Sequence, residues 1–457
     1  MISKNVLPIL AFFLFSGICK AQNSTISGYR GIWFTLGQFS TYGDKYSGGL
    51  GTYTSSHVPV AIYNKAAHRT YFVYGGTTGE HEKHLLIMIS YFDHATRKLP
   101  KPVIVLDKQG VDDPHDNASL SIDAHGYIWV FVSGRNKSRP GHIFKSNQPL
   151  DISGFTEIYR GEITYPQPWY FGDEGFLLLY TKYTNGRELY WRNIDHSKIP
   201  GPEQKLAGMG GHYQVSHQSG KTVMTVFNYH PGGNVDKRTN LYFIKTDDMG
   251  KSWKTVSGDV LKTPLTERNS QALIREYEQE GKLIYLNDLT IDHFGNPVIL
   301  AVVSRNHQPG PGADLREWFV FHYKGNRWSE YKVCASTHNY DMGSLYVEGS
   351  IWRIIGPTEA GPQRYGTGGE MALWESLNEG RSWRQVKVLT NASERNHSYA
   401  RRPLNAHDDF YVFWADGNAD LFSVSNLFFC NKIGQVFKMP YTMRETFESP
   451  EKLQLVK

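Results

Sequence analysis

The stretch DDPHDNASLSIDAHGYIWVFVSG, residues 112–134, contains two β-strand patterns in succession. Its segment "ASLSI" alternates in polarity, whereas "IWVFV" is short, apolar and rich in β-branched and aromatic residues. Asp and Gly bound the two segments, as is typical of strand ends. The stretch therefore predicts an alternating strand followed by a very apolar one, with His115 at the start of the pair.

The same arrangement recurs along the chain. Very apolar second strands are predicted at seven places: "TYFVYGG", "IWVFVSG", "FLLLYTKY", "TVMTVFN", "PVILAVV", "IWRIIG" and "FYVFWAD". A third strand follows each of them, and the last of these is predicted at "LFSVSN", residues 421–426. Seven units spaced by roughly 45 to 75 residues indicate a propeller. We therefore predict an all-β fold, a seven-bladed β-propeller with four-stranded antiparallel blades, formed as a single domain by residues 22–457.

Two turns resemble the Asp boxes of sialidase-like propellers. They are "TDDMGKSW", residues 246–253, and "SLNEGRSW", residues 376–383. In such a turn a carboxylate or amide binds the loop backbone, Gly takes a positive φ and Trp packs back on the blade. We expect both to be structural. The only candidate for a helix longer than a turn or two is "ERNSQALIREYEQEG", residues 267–281.

The composition and the N-terminus limit the function classes. The net charge is only +5, and no dense Lys/Arg run indicates nucleic-acid binding. Lys4 precedes the apolar run "VLPILAFFLFSGIC", so residues 1–21 are expected to be a cleavable signal peptide. We expect a secreted or periplasmic monomer without a membrane span. Cys334 and Cys430 then remain, which permits a disulfide but excludes a disulfide scaffold.

The propeller prediction places distant residues together. The first strand of each blade starts near the central axis, on the face that usually holds the site. In chain order the residues at this position are His57, His115, Tyr165, His212, Asn287, Tyr340 and Arg401. These histidine, tyrosine, amide and arginine side chains would be unusual at positions with a purely structural role. We therefore expect the turn that contains His115 to face the central axis.

The loops between second and third strands are expected on the same face, and they are rich in cations. These residues are Arg135, Lys137, Arg139, Lys182, Arg187, His230, Lys237, Arg238, Arg305, His307 and Arg364. Concentrated there, they would attract an anionic ligand, with exposed Tyr and Trp stacking on sugar rings. The alternative is that the loop charges are merely solvated.

The residue types favour proton abstraction over hydrolysis. A glycosidase needs two facing carboxylates, yet acids are sparse at the axis, and Asp116, Asp288 and Asp341 follow the axial residues and are expected to point away. The arginine-first strand of sialidases is replaced by His57 in "HVPVAIY". His, Tyr and cations instead suit removal of the C5 proton of a uronate, followed by protonation of the departing oxygen. This is the β-elimination of a polysaccharide lyase.

Several segments resemble a known family. The segments "GYRGIWFTLGQ", "DKYSGGLGTYTSSHVPVAIY", "DDPHDNASLSIDAHGYIWVF" and "YPQPWYF" resemble BNR-repeat propellers, which include bacterial ulvan lyases. The resemblance implies a lyase acting on a uronate- and rhamnose-containing polysaccharide, with His115 and Tyr165 as the acid–base pair. It implies that Lys182 or Arg187 neutralises the uronate. The remaining expected substrate-binding residues are His57, His212, Asn287, Arg305, Arg364 and Arg401.

Two other functions and one metal site are also considered. One branch of the relatives hydrolyses rhamnosyl-glucuronate caps of arabinogalactan as an α-L-rhamnosidase, and a non-catalytic glycan-binding propeller is a further alternative. We expect catalysis to require no cofactor. A structural zinc or calcium ion is conceivable, and a zinc site formed by Cys334, His338 and His397 is one hypothesis.

Overall fold

The computed structural model describes residues 22–50, 56–111, 113, 115–195, 200–311 and 316–456. The expected signal peptide, residues 1–21, lies outside this range. In the described part of the chain, regular structure is almost entirely β, with no α-helix and three short 3-10 turns at Gly172–Glu174, Pro231–Gly233 and Val235–Lys237. None of its helices is long and apolar enough to cross a membrane.

Seven antiparallel sheets form the blades, numbered 1 to 7 in chain order, so the predicted all-β propeller is confirmed. In blades 1 to 3 the strands follow the chain from the axis outward. Blade 1 contains Ala61–Asn64, Arg69–Gly76, Leu86–Asp93 and Val103–Asp107. Blade 2 contains Ala118–Ile122, Ile128–Val132, Gly141–Ser146 and Phe155–Gly161. Blade 3 contains Thr164–Tyr170, Phe176–Thr184, Gly186–Ile194 and Gln204–Ala207.

Blades 4 to 7 repeat this order, and blades 4 and 7 have additional strands at their edges. Blade 4 contains Gln214–Ser219, Thr222–Tyr229, Thr239–Thr246, Trp253–Lys254, Val260–Leu261 and Leu273–Arg275. Blade 5 contains Leu283–Ile291, Pro297–Ser304, Arg316–Lys324 and Arg327–Ser336. Blade 6 contains Ser344–Glu348, Ile351–Glu359, Glu370–Ser376 and Arg384–Val388. Blade 7 contains Asn396–Arg401, Val412–Gly417, Leu427–Cys430, Val436–Lys438 and Glu451–Lys452.

Both ends of the chain join blade 1 to blade 7. The short strand Gly31–Ile32 pairs with Arg69–Gly76 of blade 1 and with Val424–Ser425, which precedes the third strand of blade 7. Near the C-terminus, Phe447–Glu448 pairs with Leu99–Pro100. Two small hairpins, Phe34–Thr35 with Ser47–Gly48 and Phe39–Ser40 with Gly43–Asp44, precede blade 1.

One predicted strand and one predicted helix were wrong. The third strand of blade 7 is Leu427–Cys430, because part of residues 421–426 pairs with the N-terminal strand instead. Residues 267–281 contain the strand Leu273–Arg275 and no helix. The Asn240 side-chain oxygen accepts hydrogen bonds from the backbone N–H groups of Tyr277 and Glu278, which ties this segment to blade 4.

The very apolar second strands form the core, as their sequences predict. Every residue of Ile128–Val132 and Pro297–Ser304 is buried. Trp129, Trp352 and Trp414 are at most 1% exposed. Large rings in these strands fill the space between neighbouring sheets, where their apolar area is removed from water.

The two Asp-box turns have the predicted construction. In the first, the Asp248 carboxylate accepts the Ser252 backbone N–H at 2.9 Å, and Gly250 has a φ of +85°. Trp253 packs back into the blade and is 1% exposed. In the second, Asn378 takes the role of the carboxylate and accepts from the Ser382 backbone at 3.0 Å. Both turns thus have the structural role expected of them.

Candidate active site

The first-strand starts and the cation-rich loops lie at the same end of the propeller. In blade 3 the start of the first strand, Thr164, pairs with Thr181, three residues before the end of the second strand. The hairpin to the third strand follows at once, where Thr184 pairs with Gly186. Antiparallel pairing therefore places the start of the first strand of each blade at the same end as the hairpin between its second and third strands.

His115 is held by Asp113. The imidazole Nδ1 is hydrogen-bonded to the Asp113 carboxylate, which also accepts the backbone N–H of His115 at 2.9 Å. His115 is only 8% exposed. Because Nδ1 faces a carboxylate, we assign the proton to Nδ1, which leaves the Nε2 lone pair as the proton acceptor.

Two arginines complete the surroundings of Asp113. Arg135 Nη1 and Arg139 Nη2 lie 2.8 and 2.6 Å from the second carboxylate oxygen. Burial alone would raise the pKa of Asp113, but the side-chain and backbone hydrogen bonds from His115 and the charge of Arg139 outweigh it and hold this pKa well below its usual range. Asp113 is thus ionised and orients His115.

The neighbouring Asp116 is fully buried and is paired with two cations. Lys108 Nζ lies 2.6 Å and Arg139 Nε 2.7 Å from one of its oxygens. Its charge is thus compensated inside the protein. Asp288 accepts the Leu345 N–H and lines a cavity together with His57. Burial raises the pKa of Asp341 to about 7, although its carboxylate accepts three backbone N–H groups.

Tyr165 packs beneath the two axial histidines. Its ring centroid lies 5.3 Å from that of His57 and 5.8 Å from that of His115. Tyr165 is 1% exposed and has a φ of +53°, a left-handed conformation that is uncommon outside glycine. The residue is therefore brought to His115 as predicted, but deep in the channel wall.

Tyr183 is the site residue that the sequence analysis missed. It pairs directly with Arg187 across the blade 3 hairpin, and the guanidinium carbon of Arg187 lies 5.6 Å from its ring centroid. The guanidinium of Arg135, next to His115, lies 5.4 Å from the same ring. The predicted hairpin could have identified Tyr183, because residues directly opposite each other in a hairpin lie on the same face of the sheet.

Both members of this pair keep their protonated forms at neutral pH. Burial and the nearby Tyr213 raise the pKa of Tyr183, against the opposing charges of Arg187 and Arg135. The nearby Tyr213 raises the pKa of Arg187, and burial opposes this effect. Tyr183 and Tyr165 raise the pKa further. Within the described part of the chain, no carboxylate lies within 4.0 Å of the Arg187 guanidinium. Arg187 is therefore available to a ligand carboxylate.

Lys182 is in a different situation from Arg187. Its Nζ lies 2.7 Å from a Glu203 oxygen and 3.5 Å from a Glu162 oxygen. Its charge is thus already compensated. The sequence left Lys182 and Arg187 as alternatives for neutralising the uronate, and the geometry favours Arg187.

Two predicted substrate-binding residues are engaged by the backbone instead. His212 is fully buried, with Nδ1 donating to the Asn228 carbonyl at 2.7 Å and Nε2 accepting the Met209 N–H at 3.2 Å. Burial lowers its pKa to about 4. All three nitrogens of Arg401 donate to backbone carbonyls at 2.7 to 3.0 Å, and Arg401 ends its strand rather than starting it. Both side chains stabilise the fold.

The other predicted residues are distributed over the channel and its rim. His57 and Asn287 are fully buried, while Arg305 and Arg364 lie exposed on loops. Arg238, expected on the cationic surface, is 1% exposed and donates to the Tyr340 hydroxyl at 2.8 Å. The structure thus brings together His57, His115 and Tyr165, with Arg135 and Arg187 beside them.

Among the residues that the structure describes, Cys334, His338 and His397 do not form a cluster of potential metal ligands. His397 Nδ1 accepts the Trp414 indole N–H at 3.0 Å, and its Nε2 is 3.0 Å from the Ser393 hydroxyl. Cys334 and Cys430 are both buried free thiols, so the disulfide that the sequence permitted is not formed.

Comparisons with known proteins agree with this architecture. Residues 70–336 match the profile of the BNR repeat-containing family. An ulvan lyase from Nonlabens ulvanivorans is 22% identical over 229 residues, which span 44% of this chain and 44% of that protein. The aligned region thus spans less than half the length of this relative.

Two solved structures share the fold over most of their length. Both are of a PL25 ulvan lyase, a polysaccharide lyase, and one of them is bound to -[GlcA(1-4)Rha3S]-. Each superposes with a TM-score of 0.69 at 14% or 15% identity, covering 90% of this chain and 96% of the other. At this identity the likeness establishes the propeller fold.

Proposed function

Because the chain belongs to the BNR repeat-containing family, in which it matches an ulvan lyase, we propose that it is a polysaccharide lyase that cleaves a uronate-containing glycan by β-elimination. One observation carries this proposal. At one end of the propeller, the His115–Asp113 pair lies beside the Tyr183–Arg187 pair, and Arg135 contacts both. A base, an acid and a free cation are thus available on one surface.

The proposed reaction uses each of these groups once. Arg187 binds the uronate carboxylate and stabilises the charge that develops on it when the C5 proton leaves. His115 Nε2 accepts that proton, and Asp113 stabilises the resulting imidazolium. The electron pair of the C5–H bond forms the C4=C5 double bond, and the C4–O4 bond breaks. Tyr183 protonates the departing O4.

The roles of the two tyrosines differ in this proposal. Tyr183 is partly exposed at its ring and lies against Arg187, whereas its hydroxyl is buried, so a glycan oxygen must enter the site beside Arg187 to receive its proton. Tyr165, the acid–base residue expected from the resemblance, is almost fully buried but contacts the His115 ring. We assign proton donation to Tyr183 and the packing of His115 to Tyr165, and the two assignments are tested separately below.

Hydrolysis receives less support from the site. A glycosidase of the usual kind needs one carboxylic acid and one free carboxylate on opposite sides of the scissile bond. The carboxylates nearest to His115 are Asp113 and Asp116, and each is engaged by two cationic side chains. Neither is free to attack an anomeric carbon or to activate a water.

For the substrate we propose an acidic polysaccharide that contains uronic acid and rhamnose, of the kind bound in the solved PL25 ulvan lyase structure. The excess of cations over free carboxylates at this end of the propeller suits an anionic polymer. We further propose that the protein acts outside the cytoplasm, because residues 1–21 have the pattern of a signal peptide.

Product analysis tests the proposal. The protein is incubated with ulvan, with arabinogalactan and with other uronate glycans, and the products are analysed by mass and ultraviolet absorbance. We expect oligosaccharides that end in an unsaturated uronate, with the absorbance of its conjugated double bond. Products that have gained one water would identify a hydrolase instead, and the absence of any cleavage would identify a binding protein.

A further inference from the structure

A second cluster of histidines lies at the opposite end of the propeller. His94 follows the third strand of blade 1, and His407 and Asp409 lie in the loop between the first two strands of blade 7. The ring centroids of His94 and His407 are 4.0 Å apart. His68, at the first hairpin of blade 1, adds a third imidazole at 5.3 and 5.4 Å from the other two rings. None of these residues takes part in the proposed catalysis.

His94 is oriented as metal-binding histidines usually are. Its Nε2 is hydrogen-bonded to the Thr70 hydroxyl at 2.8 Å, whereas its buried Nδ1 has no hydrogen-bond partner among the described residues. His94 is only 6% exposed, and an unsatisfied nitrogen at that depth is costly. A metal ion would satisfy it, because metal-bound imidazoles typically donate their other N–H to a nearby oxygen.

One nitrogen of His94, one of His407 and one oxygen of Asp409 lie within 4.8 Å of one another. Ligands at about 2.0–2.2 Å from a tetrahedral Zn²⁺ lie roughly 3.4 Å apart, so binding requires a contraction of up to about 1.4 Å. Two of the three ligands sit on a loop. The contraction therefore needs only local movement of side chains.

We propose that His94, His407 and Asp409 bind one Zn²⁺-class transition-metal ion that joins blade 1 to blade 7. Two imidazoles and one carboxylate are the donors that zinc accepts, whereas calcium and magnesium prefer oxygen ligands throughout. His68 or a water completes the coordination. His407 Nδ1 now accepts the Asp409 backbone N–H at 3.1 Å, and Arg97 lies 3.4 Å from the Asp409 carboxylate. These contacts are the ones that the metal would replace.

The position of the cluster gives the ion a structural role. Blades 1 and 7 are the first and last of the ring, so their contact closes the propeller. Close to the cluster they are already linked by two hydrogen bonds, from the Tyr63 N–H to the Leu404 carbonyl at 2.9 Å and from the Leu404 N–H to the Ala61 carbonyl at 2.8 Å. A metal ion bound by both blades would oppose opening of the ring, since an ion that binds only the folded state stabilises it.

Metal binding to the untagged, chelator-treated protein tests this proposal. Zn²⁺ is added alone and its stoichiometry and Kd are measured by calorimetry. Co²⁺ is used in parallel, because its visible absorption reports tetrahedral coordination. We expect one equivalent of Zn²⁺ per chain, a tetrahedral Co²⁺ spectrum and a higher Tm with metal. Failure to bind an equivalent of Zn²⁺, or a Co²⁺ spectrum of the hexahydrate ion only, would overturn it.

Substitutions assign the site. Asp409→Asn and His407→Gln are expected to weaken Zn²⁺ binding at least tenfold and to remove the rise in Tm. Both residues are partly exposed, so these variants are expected to fold. His293→Gln, at an exposed histidine in blade 5, is the matched control and should bind like wild type. Undiminished binding in both cluster variants would show that the metal binds elsewhere and would refute the assignment.

Discussion

Tyr183 and Arg187 lie directly opposite each other across one hairpin, with the Arg187 guanidinium 5.6 Å from the Tyr183 ring centroid. This relationship places a neutral phenol and an uncompensated cation on the surface that also carries His115. The cation faces phenols rather than carboxylates, so its charge is available to a ligand.

His115→Gln should lower kcat by about 10²–10⁴-fold with little change in KM, because general acid–base catalysis is typically worth that much. Steady-state kinetics on a uronate glycan measure this effect. His293→Gln, at an exposed position far from the site, serves as the control. A folded His115→Gln variant that eliminates at the wild-type rate would exclude His115 as the base.

Tyr183→Phe should reduce kcat by about 10²-fold or more, since it removes a proton donor but almost no contact area. Tyr165→Phe is the paired variant and should affect kcat less, because Tyr165 is 1% exposed. Its main effect should be on stability. The same kinetic measurements on both variants decide between them, and the reverse order of effects would assign proton donation to Tyr165.

Arg187→Ala should raise KM and lower kcat together, because the cation contacts the carboxylate in both the ground and transition states. A hydrogen bond to a charged group is worth about 1.5–3 kcal/mol, so kcat/KM should fall by about 10- to 150-fold. Lys182→Ala removes a cation from the same hairpin that is already paired with Glu203. The kcat/KM of Lys182→Ala should stay close to that of wild type. An equal loss of kcat/KM in both variants would contradict the assignment of the uronate-binding role to Arg187 alone.

Glycan binding should weaken as ionic strength rises. The Debye length shortens from about 10 Å at 0.1 M salt to about 3 Å at 1 M, so the attraction between the cationic loops and an anionic polymer is screened. Titration of the inactive His115→Gln variant with the intact polysaccharide at several salt concentrations measures this dependence. Affinity that does not change with salt would point to a neutral glycan bound by stacking.

Stability should fall as the pH drops below about 6.5, because His212 is buried in its neutral form. Its folded-state pKa of about 4 lies below the ordinary value of 6.5, so between these values the unfolded chain binds more protons than the folded one. The contribution is complete above about pH 6.5 and is lost as the pH falls towards 4, and at pH 5 the loss is about 2 kcal/mol.

Urea unfolding at about pH 7.5 and about pH 5 measures this change. His212→Gln should be less stable than wild type at neutral pH, since two backbone hydrogen bonds change, but its stability should vary less between the two pH values. An equal pH dependence in the variant and the wild type would show that His212 does not contribute.

The architecture was predictable from the sequence because its signals are local. Alternating and very apolar strands recur with turn residues between them, and each hairpin is formed by neighbouring segments. The second strands fall where they were predicted, and both Asp boxes have their expected hydrogen bonds. The third strand of blade 7 is the exception, because part of the predicted segment pairs instead with Gly31–Ile32, which is distant in sequence.

The chemistry of the site was only partly predictable, because it depends on what each side chain meets in space. The sequence by itself identified the axial positions, including His115 and Tyr165, together with the cation-rich loops. Only the tertiary structure decided that Lys182 is paired with Glu203 while Arg187 is free of carboxylates, and that Tyr183 faces Arg187. A charge in a loop looks the same in sequence whether it is compensated or not. Burial and partners from other strands and blades, which no local pattern encodes, determine whether that charge is available to a ligand.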